Sequence, residues 1–295
     1  MTTEHHDEGG VPERGRRRSR TLPEPLAPMR LMPRDRLLLA DVFLQRYMTA
    51  GQILGLGCYF HSLSRLNERL RALFDHGLLL RHLLPLAHDG GPVIYSAAPA
   101  AAPIIAGEIG WDVAQVRRLI RHGSPPTTLQ HCLRVTDIRI AFQKAGRSAG
   151  IRMEWRPELL CRHRYRYRAD GKADWSETAF KPDGYLRLQG GSGAARHLFL
   201  ECDLDNVSEG RIAVKLSEAY RRYLELGLFA RRYGGDGFGI LFVTTHTARR
   251  DRLVRLAEQA GAKNALVTTF AELEAGGALG TIWHVPGGHS PASLL

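Results

Sequence analysis

Three carboxylates lie close together in the second half of the chain. Asp183 belongs to the segment K-P-D-G-Y-L-R-L, and Glu201 and Asp203 lie two residues apart in H-L-F-L-E-C-D-L-D. Alternate residues of a β-strand point to the same face, so Glu201 and Asp203 would share one face of a strand. A short stretch rich in Gly, Ser and Ala separates the segments and predicts a hairpin that brings all three together. Such a cluster is costly without a cation or proton inside it, which makes these residues candidate ligands of a divalent metal.

The order of the surrounding predicted elements matches that of a restriction-endonuclease-like core, which holds its metal with acidic residues at this place. Such cores carry the pattern P-D…(D/E)-x-K, in which the carboxylates bind Mg²⁺ and the lysine stabilises charge. Pro182-Asp183 fills the first part of the pattern, but Asp203 stands where the lysine would be. Lys215, on the next predicted helix, could reach back to the carboxylates, and Lys181 is a second candidate.

The pattern therefore predicts a catalytic set and a cofactor. The alternative is that the acids of segment 201–205 face solvent or pair with local arginines. The predicted cofactor is Mg²⁺ or Mn²⁺, with Asp183, Glu201 and Asp203 as its ligands. The predicted catalytic residues are Asp183, Glu201, Asp203 and Lys215.

The elements upstream predict a winged helix-turn-helix domain. We expect a helix from Pro33, a short second helix capped by Thr49, and a third helix over about 61–75 with its apolar residues on one face. A D-G-G sequence at 89–91 then predicts a β-hairpin. In this kind of domain the third helix enters the major groove of DNA. The predicted DNA-binding residues of this region are Ser62, Arg65, Arg69 and Arg71.

The charge balance also points to a polyanionic partner. The chain has 41 Lys and Arg against 30 Asp and Glu, a formal net charge of +11. Such an excess indicates nucleic acid more often than an anionic membrane surface. Residues 1–33 are polar and contain several prolines, which predicts a disordered basic tail. Its arginine cluster would either neutralise DNA phosphates or remain solvated. The candidate DNA-binding residues of this tail are Arg16, Arg17 and Arg18.

Cysteine usage and hydropathy exclude other classes of protein. The four cysteines lie far apart and form no C-x-x-C pair, which argues against a zinc ribbon or a disulfide framework. Reduced thiols of this kind are typical of the cytoplasm. No apolar run reaches the roughly 18 residues that a membrane span needs, and the first residues lack the apolar region of a signal peptide. The sequence thus predicts a cytoplasmic protein without a membrane partner.

The fold class expected is α/β, or α+β when the whole chain is considered. The winged helix-turn-helix domain is predicted over 34–98, and residues 99–126 read as a connector with one helix. A restriction-endonuclease-like domain, with a mixed sheet flanked by helices, is predicted over 127–286. Residues 287–295 are rich in Gly and Pro and are predicted to be a flexible tail.

Two features of the second domain leave alternatives open. His131 and Asp137 stand on the apolar face of its first predicted helix, where a histidine is more often packed in a core than bound to a ligand. The segment C-R-H-R-Y-R-Y-R, residues 161–168, alternates arginine with aromatic residues. One face of such a strand would bind nucleic acid by charge and stacking. An exposed edge strand without a partner would show the same pattern.

The sequence resembles the replication-relaxation proteins of bacterial plasmids and integrative mobile elements. The resemblance covers about residues 34–250 and rests on four runs: R-D-R-L-L-L-A-D-V-F-L-Q-R-Y-M-T-A-G-Q-I, L-N-E-R-L-R-A-L-F-D-H-G-L-L, H-C-L-R-V-T-D-I-R-I-A-F, and P-D-G-Y followed by F-L-E-C-D and K-L-S-E-A-Y-R-R-Y. It implies a DNA-binding protein that acts at an origin of replication or transfer and has a nuclease-like second domain. Expected partners are double-stranded DNA, a relaxase or replication protein, and a second copy of the chain.

Functions of three classes follow from these observations. In the first, the protein recognises duplex DNA and nicks or relaxes it with a divalent metal. In the second, which the aspartate in the lysine position motivates, it is a non-catalytic winged-helix regulator or relaxase accessory factor with a degenerate nuclease-like domain. In the third, the winged helix binds protein and the chain is a scaffold that acts without nucleic acid.

Overall fold

The protein is described by a computed structural model that covers residues 28–83, 92–120, 126–168, 174–191 and 193–294. Helices and strands alternate along these segments, and the strands form both antiparallel and mixed sheets, which confirms the predicted mixed α/β class. The basic tail with Arg16, Arg17 and Arg18 lies outside the described residues, as does the D-G-G hairpin tip.

The N-terminal unit has the predicted order of three helices and a hairpin. Its strands form an antiparallel sheet in the order β1-β3-β2. The elements are α1 (Pro33–Gln45), β1 (Met48–Thr49), α2 (Ala50–Leu56), α3 (Leu63–Asp75), β2 (Leu79–Leu83) and β3 (Val93–Ala97).

Local sequence explains where these helices start and which face they bury. Thr49 begins α2 with a capping box: its hydroxyl accepts from the Gln52 amide, and the Gln52 side chain accepts from the Thr49 amide. In α3, Leu66, Leu70 and Leu73 recur every three or four residues and are fully buried. The capping signal and the helical periodicity were both readable from the sequence.

Residues 99–120 belong to the core of this unit, although the sequence predicted a connector with one helix. A 3₁₀ turn at Pro99–Ala101 leads into two helices, α4 (Ala102–Ile109) and α5 (Val113–Leu119). Ile105 and Val116 are fully buried in the cluster that α1 also fills. The alanines of α4 give little hydrophobic periodicity, yet their small side chains permit close packing, which explains the error.

The second unit is built on a five-stranded mixed sheet in the order β10-β9-β8-β7-β4. Strand β7 is antiparallel to β4 and β8, whereas β8, β9 and β10 are parallel. Strands β5 and β6 form a separate antiparallel hairpin. The strands are β4 (Arg152–Pro157), β5 (His163–Arg168), β6 (Trp175–Phe180), β7 (Gly184–Gln189), β8 (Arg196–Asp203), β9 (Gly239–Thr244) and β10 (Ala265–Thr269).

Helices cover both faces of this sheet. One face, which carries Phe199 and Phe242, packs under the helices between β8 and β10, and the other, which carries Leu200 and Leu241, packs against the first and last helices. Side chains alternate along a strand, so Glu201 and Asp203 lie on the Phe199 face, as predicted. The helices are α6 (Pro126–Ser148), α7 (Glu158–Cys161), α8 (Glu209–Val214), a π-helical turn (Lys215–Tyr220), α9 (Arg221–Glu225), α10 (Leu228–Tyr233), α11 (Thr247–Gln259) and α12 (Phe270–Gly276).

Helix α6 contacts both units. Its apolar side, with Ile138 and Phe142, packs on the sheet of the second unit. Its other side meets α2, where the Gln52 side-chain amide donates to the Asp137 carboxylate (2.7 Å) and to the backbone carbonyl of Leu133 (2.8 Å). Asp137, noticed in the sequence for its place on an apolar face, therefore lies at the contact between the units.

A second polar group joins α6 to α1. Arg139 donates to both carboxylate oxygens of Asp41, at 2.8 and 3.0 Å. Asp41 also accepts from the Tyr59 hydroxyl at 2.5 Å, and burial together with this carboxylate raises the pKa of Tyr59. Both side chains of the ion pair are largely buried, so the units are held by a directional contact rather than by apolar packing alone.

The chain end packs on the sheet, where the sequence predicted a flexible tail. Trp283 and Leu294 are fully buried in the same cluster, and Trp283 pairs with Ala292 through an isolated β-bridge. His284 makes a similar bridge to Val267 of β10. None of the described helices is both long enough and apolar enough to cross a membrane.

Candidate active site

Glu201 occupies the centre of the candidate site. It lies near the end of β8, and only 7% of its surface is exposed. One carboxylate oxygen accepts from the Lys215 amino group at 2.5 Å, and the other accepts from the Tyr220 hydroxyl. Burial raises the pKa of Glu201 to about 7, and the nearby Asp183 charge adds to this effect, while Lys215 opposes it. Glu201 is therefore a carboxyl group whose charge changes near neutral pH.

Lys215 reaches back from the helix to the carboxylates, as predicted. Burial disfavours its charge, but Glu201 and Asp183 outweigh burial and raise its pKa above the usual value, so the amino group is a cation. The same amino group lies 3.4 Å from the backbone carbonyl of Lys181. Lys181 itself, the second candidate lysine, has an exposed side chain and contributes only this carbonyl to the contact.

A π-helical turn positions the two partners of Glu201. Lys215 and Tyr220 are the first and last residues of this turn, which lies between α8 and α9. Five residues of an α-helix would place their side chains about 140° apart around the axis. The wider π turn, with its i→i+5 hydrogen bonds, brings the side chains to the same side. Burial and Glu201 raise the pKa of Tyr220 well above 10, which keeps the hydroxyl a donor.

Asp183 is held where β7 begins. Its carboxylate accepts from the Cys202 amide at 2.8 Å and from His131 Nε2 at 3.1 Å. Burial favours the neutral acid, yet the hydrogen bond from His131 and the His131 charge prevail and lower the pKa of Asp183. The same pair raises the pKa of His131 against the effect of burial. His131 is thus a partner of the candidate site, which the sequence had signalled only as a polar residue on an apolar face.

The glycine that follows Asp183 has a packing reason. A Cβ added at Gly184 would lie 2.6 Å from Cη2 of Trp155, which crosses from the neighbouring strand β4. This contact is closer than real Cβ atoms adopt, so the P-D-G-Y sequence needs glycine for the indole to pack here. The indole therefore fixes the backbone next to the Asp183 carboxylate.

Asp203 does not join the other two carboxylates. One of its oxygens accepts from the Thr244 hydroxyl and from Arg249 Nε, both at 2.8 Å, and the other accepts from Arg249 Nη2 at 3.1 Å. Both ionic side chains are 4% exposed, and Arg249 also lies 3.2 Å from Asp205. The expected cluster of three is therefore corrected to two carboxylates plus a separate buried ion pair. Its arginine comes from α11, 46 residues further along the chain.

The donor set that remains suits a hard divalent cation that also binds substrate. Among the residues that the structure describes, no group of three or more His, Cys, Asp or Glu side chains is arranged to hold a metal ion. Mg²⁺, however, is usually held by one or two carboxylates together with water and substrate phosphates. Glu201 is buried and Asp183 is 19% exposed, and their carboxylates are close enough for the Asp183 charge to act on Glu201, so these two oxygen donors fit this role. Asp203 is not part of this donor set, because its carboxylate forms a separate ion pair with Arg249 in which both side chains are 4% exposed.

A layer of aromatic rings fixes this site from the side of the helices. The ring of Phe180, the last residue of β6, stacks on Tyr223 with centroids 4.0 Å apart. It also meets the ring of Tyr220 edge-on at 5.0 Å. Rings packed in this way have few alternative rotamers, so the Tyr220 hydroxyl is held towards Glu201.

The N-terminal unit carries a second candidate surface, along α3 and its hairpin. An exposed stripe of α3 with Ser64, Asn67 and Arg71 lines a groove with Arg81 of β2 and Tyr95 of β3. Arg71 was predicted from the sequence, whereas the other four residues named here were not. Two sequence patterns could have identified them: residues three or four apart share one face of α3, and alternate residues share one face of a strand.

Three residues predicted to bind DNA, one just before α3 and two within it, lie outside this groove. Ser62 is the half-buried residue before the helix, and Arg65 is exposed beside the groove. Arg69 donates to both carboxylate oxygens of Asp35, one of them at 2.8 Å, and to the carbonyl of Arg30 at 2.7 Å. Asp35 is fully buried. Arg69 is therefore engaged in an internal ion pair between α3 and α1.

Comparison with known proteins adds one finding to this geometry. The family model described as replication-relaxation matches residues 39–237, about two thirds of the chain. Searches of curated proteins and of solved structures found no match. The matched region contains His131, Asp183, Glu201, Lys215 and Tyr220, and it ends before β9.

Proposed function

The chain belongs to the replication-relaxation family, and on this premise we propose that it recognises duplex DNA at an origin of replication or transfer and nicks or relaxes it with a divalent metal. The family suggests a role in the replication or relaxation of a plasmid or mobile element. The finer proposal of metal-dependent cleavage depends on the second unit. The proposal of duplex recognition depends on the N-terminal unit and on the net charge of +11.

One observation carries the cleavage proposal: Asp183, Glu201 and Lys215 form a single group in which Glu201 is buried and the Lys215 side chain is 33% exposed. Lys215 contacts Glu201 at 2.5 Å, and Asp183 influences the charge of both other residues. The set corresponds to the elements of the P-D…(D/E)-x-K pattern, with the lysine supplied from a helix instead of the strand. Asp203, which stands where the pattern has lysine, pairs with Arg249, so the proposal assigns the role of the lysine to Lys215.

The chemistry follows from the charges of these side chains. When bound at Asp183 and Glu201, Mg²⁺ or Mn²⁺ would polarise a scissile phosphate and lower the pKa of an attacking water. The Lys215 ammonium stabilises negative charge that develops on the phosphate oxygens. Tyr220 and His131 hold the two carboxylates in place through their hydrogen bonds.

For the N-terminal unit, the proposal is a winged helix that reads duplex DNA. Helix α3 would lie in the major groove with Asn67 and Arg71 near base edges or phosphates, and Arg81 on the hairpin would contact the backbone. The arginines of the predicted tail would add phosphate contacts. Because α6 fixes this unit to the second one, bound duplex would take a defined direction relative to the candidate active site.

The proposal is tested with supercoiled plasmid that carries the cognate origin. Wild-type protein with Mg²⁺ should produce nicked or relaxed circles, and Asp183→Asn, Glu201→Gln and Lys215→Met should each lower the rate about 100-fold or more. Glu225→Gln is the matched control, because this glutamate is exposed on α9 and far along the helix from Lys215. Folding of each variant is checked by circular dichroism.

A wild-type protein that nicks no faster than these variants would overturn the cleavage proposal. The non-catalytic alternative, a regulator or relaxase accessory factor, then predicts site-specific duplex binding that survives the same substitutions without metal. A relaxase or replication protein and a second copy of the chain are further proposed partners. Light scattering of the protein with and without its DNA site measures the copy number directly.

A further inference from the structure

The hairpin of β5 and β6 projects from the candidate active site. Phe180, its last residue, lies three positions before Asp183 and packs on Tyr220 and Tyr223. Tyr220 is the residue whose hydroxyl binds the central glutamate. At about 3.4 Å per residue, Trp175 at the far end of β6 lies about 17 Å along the strand from Phe180. The hairpin thus leads from the site to the surface.

The two faces of this hairpin differ in chemistry. Tyr165 is buried and its ring contacts Tyr223, and Tyr167 lies under the guanidinium of Arg222 at 4.1 Å. The tyrosines of the C-R-H-R-Y-R-Y-R segment therefore face the helices and are not available for stacking. The alternate residues of β5 face outward and are exposed. They are Arg164, Arg166 and Arg168.

Trp175 completes the outward face from the opposite strand. Its side chain is 55% exposed, an unusual state for tryptophan in a folded protein. It pairs in register with Arg168, and the guanidinium groups of Arg168 and Arg166 lie 5.4 and 5.8 Å from its ring centroid. Glu177 is the acidic residue of this face, opposite Arg166. Within the described part of the chain, none of the three outward arginines forms an ion pair.

We propose that this face binds a single, unpaired strand of DNA that leads to the candidate active site. The inference rests on the proposed function, since it takes DNA as the substrate of that site. Arginines at alternate positions form a row with a spacing of about 6.8 Å, suited to the phosphates of an extended strand. Trp175 supplies a stacking surface for a base, and only an unpaired base has a free face for it.

The geometry favours a single strand over duplex for this face. A duplex would meet the arginines through its phosphates alone and would leave the exposed indole without a stacking partner. Duplex recognition is also accounted for by the groove of the N-terminal unit. The two units therefore bind different forms of DNA. The N-terminal unit binds paired DNA, and the hairpin of the second unit binds the strand that is cut or has been separated.

Binding of labelled oligothymidine, measured by fluorescence anisotropy at several salt concentrations, tests the proposal. The triple variant Arg164→Ala, Arg166→Ala, Arg168→Ala should bind about 10- to 100-fold more weakly, and its plot of log K against log salt should be less steep by about 2. Trp175→Ala should weaken binding about 5-fold or more without a change in slope, and Trp175→Phe should restore much of the loss.

The matched control removes equal charge from exposed positions elsewhere in the second unit: Arg152→Ala, Arg255→Ala and Lys263→Ala. If the hairpin triple binds oligothymidine as tightly as this control, the proposal is overturned. Duplex binding should be the same for both triples, since it is assigned to the N-terminal unit.

The two proposals can fail separately. If Asp183→Asn abolishes nicking but the hairpin variants bind oligothymidine normally, the hairpin proposal alone fails. If no protein nicks DNA but the hairpin variants lose oligothymidine binding, the cleavage proposal alone fails.

Discussion

Lys215 and Tyr220 donate to opposite oxygens of one carboxylate, that of Glu201, from the two ends of a single π-helical turn. The lysine is a cation and the tyrosine is a neutral hydrogen-bond donor. Together they fix the orientation of the Glu201 carboxylate. Burial then sets its pKa to about 7. The charge of the site accordingly depends on pH in the physiological range.

Stability should depend on pH through Glu201. Its pKa is raised from 4.5 to about 7, so between these values the folded protein binds more protons than the unfolded chain, and stability falls as the pH rises. Glu201→Gln removes this titration. From pH 4.5 to pH 7, wild-type protein should lose about 3 kcal/mol of unfolding free energy relative to the variant. Urea unfolding at several pH values measures this; a difference that stays constant with pH would contradict the assignment.

Replacement of His131 should destabilise the protein most at low pH, the same direction as for Glu201 but over a higher range. The pKa of His131 is raised from 6.5 to about 10, so its stabilising effect is complete below pH 6.5 and is lost as the pH rises through about 10. His131→Gln should cost about 1.5–3 kcal/mol at pH 6, the range for hydrogen bonds to charged groups. His289→Gln, at an exposed position, is the control. Equal losses at pH 6 and pH 10 would show that the histidine does not act through its charge.

Asp203 should behave as a structural residue. Asp203→Ala leaves the buried guanidinium of Arg249 without its main partner and should cost about 3–5 kcal/mol. The double variant Asp203→Leu, Arg249→Leu should regain much of this loss, because no uncompensated charge remains. Calorimetric titration with Mn²⁺ provides the functional comparison. Asp203→Asn should bind the ion like wild type, and a loss as large as that of Asp183→Asn would instead identify Asp203 as a ligand.

Two arginines of α3 should give contrasting phenotypes. Arg71 is exposed in the groove, so Arg71→Ala should weaken duplex binding and reduce the salt dependence by about one phosphate contact, without loss of stability. Arg69→Ala should remove no DNA contact, because Arg69 is engaged in an internal ion pair. It leaves Asp35 buried and unpaired, which should lower the free energy of unfolding by about 3 kcal/mol. Electrophoretic mobility shifts and thermal unfolding of both variants separate these effects. Equal DNA-binding losses would place Arg69 at the DNA interface as well.

Much of the fold followed from local signals. The Thr49 cap and the apolar face of the third helix each predict an element whose boundaries agree with the structure to within a few residues. Local signals failed where packing depends on small residues. Helix α4 buries alanines against α1, and such contacts leave no periodic pattern of large apolar side chains.

The candidate site could be predicted only in part, because the residues that pair with its carboxylates lie far from them in the sequence. The shared face of Glu201 and Asp203 follows from strand geometry alone, and the reach of Lys215 was a geometric expectation. The capture of Asp203 depends on Arg249, in a helix that begins after another strand. The contact of Tyr220 depends on a π-helical turn, which no residue pattern specifies. Both features require the three-dimensional structure.

The number of residues between two sets of contacts on helix α6 is constrained by the structure. The helix holds Asp183 through His131 near one end, and about two turns later it meets the N-terminal unit through Asp137 and Arg139. One residue inserted between these positions would rotate one set of contacts by about 100° relative to the other. Homologous helices should therefore tolerate exchanged residues but not changed residue counts in this interval, and grafting the N-terminal unit onto another second unit should succeed only when α6 is carried over with it.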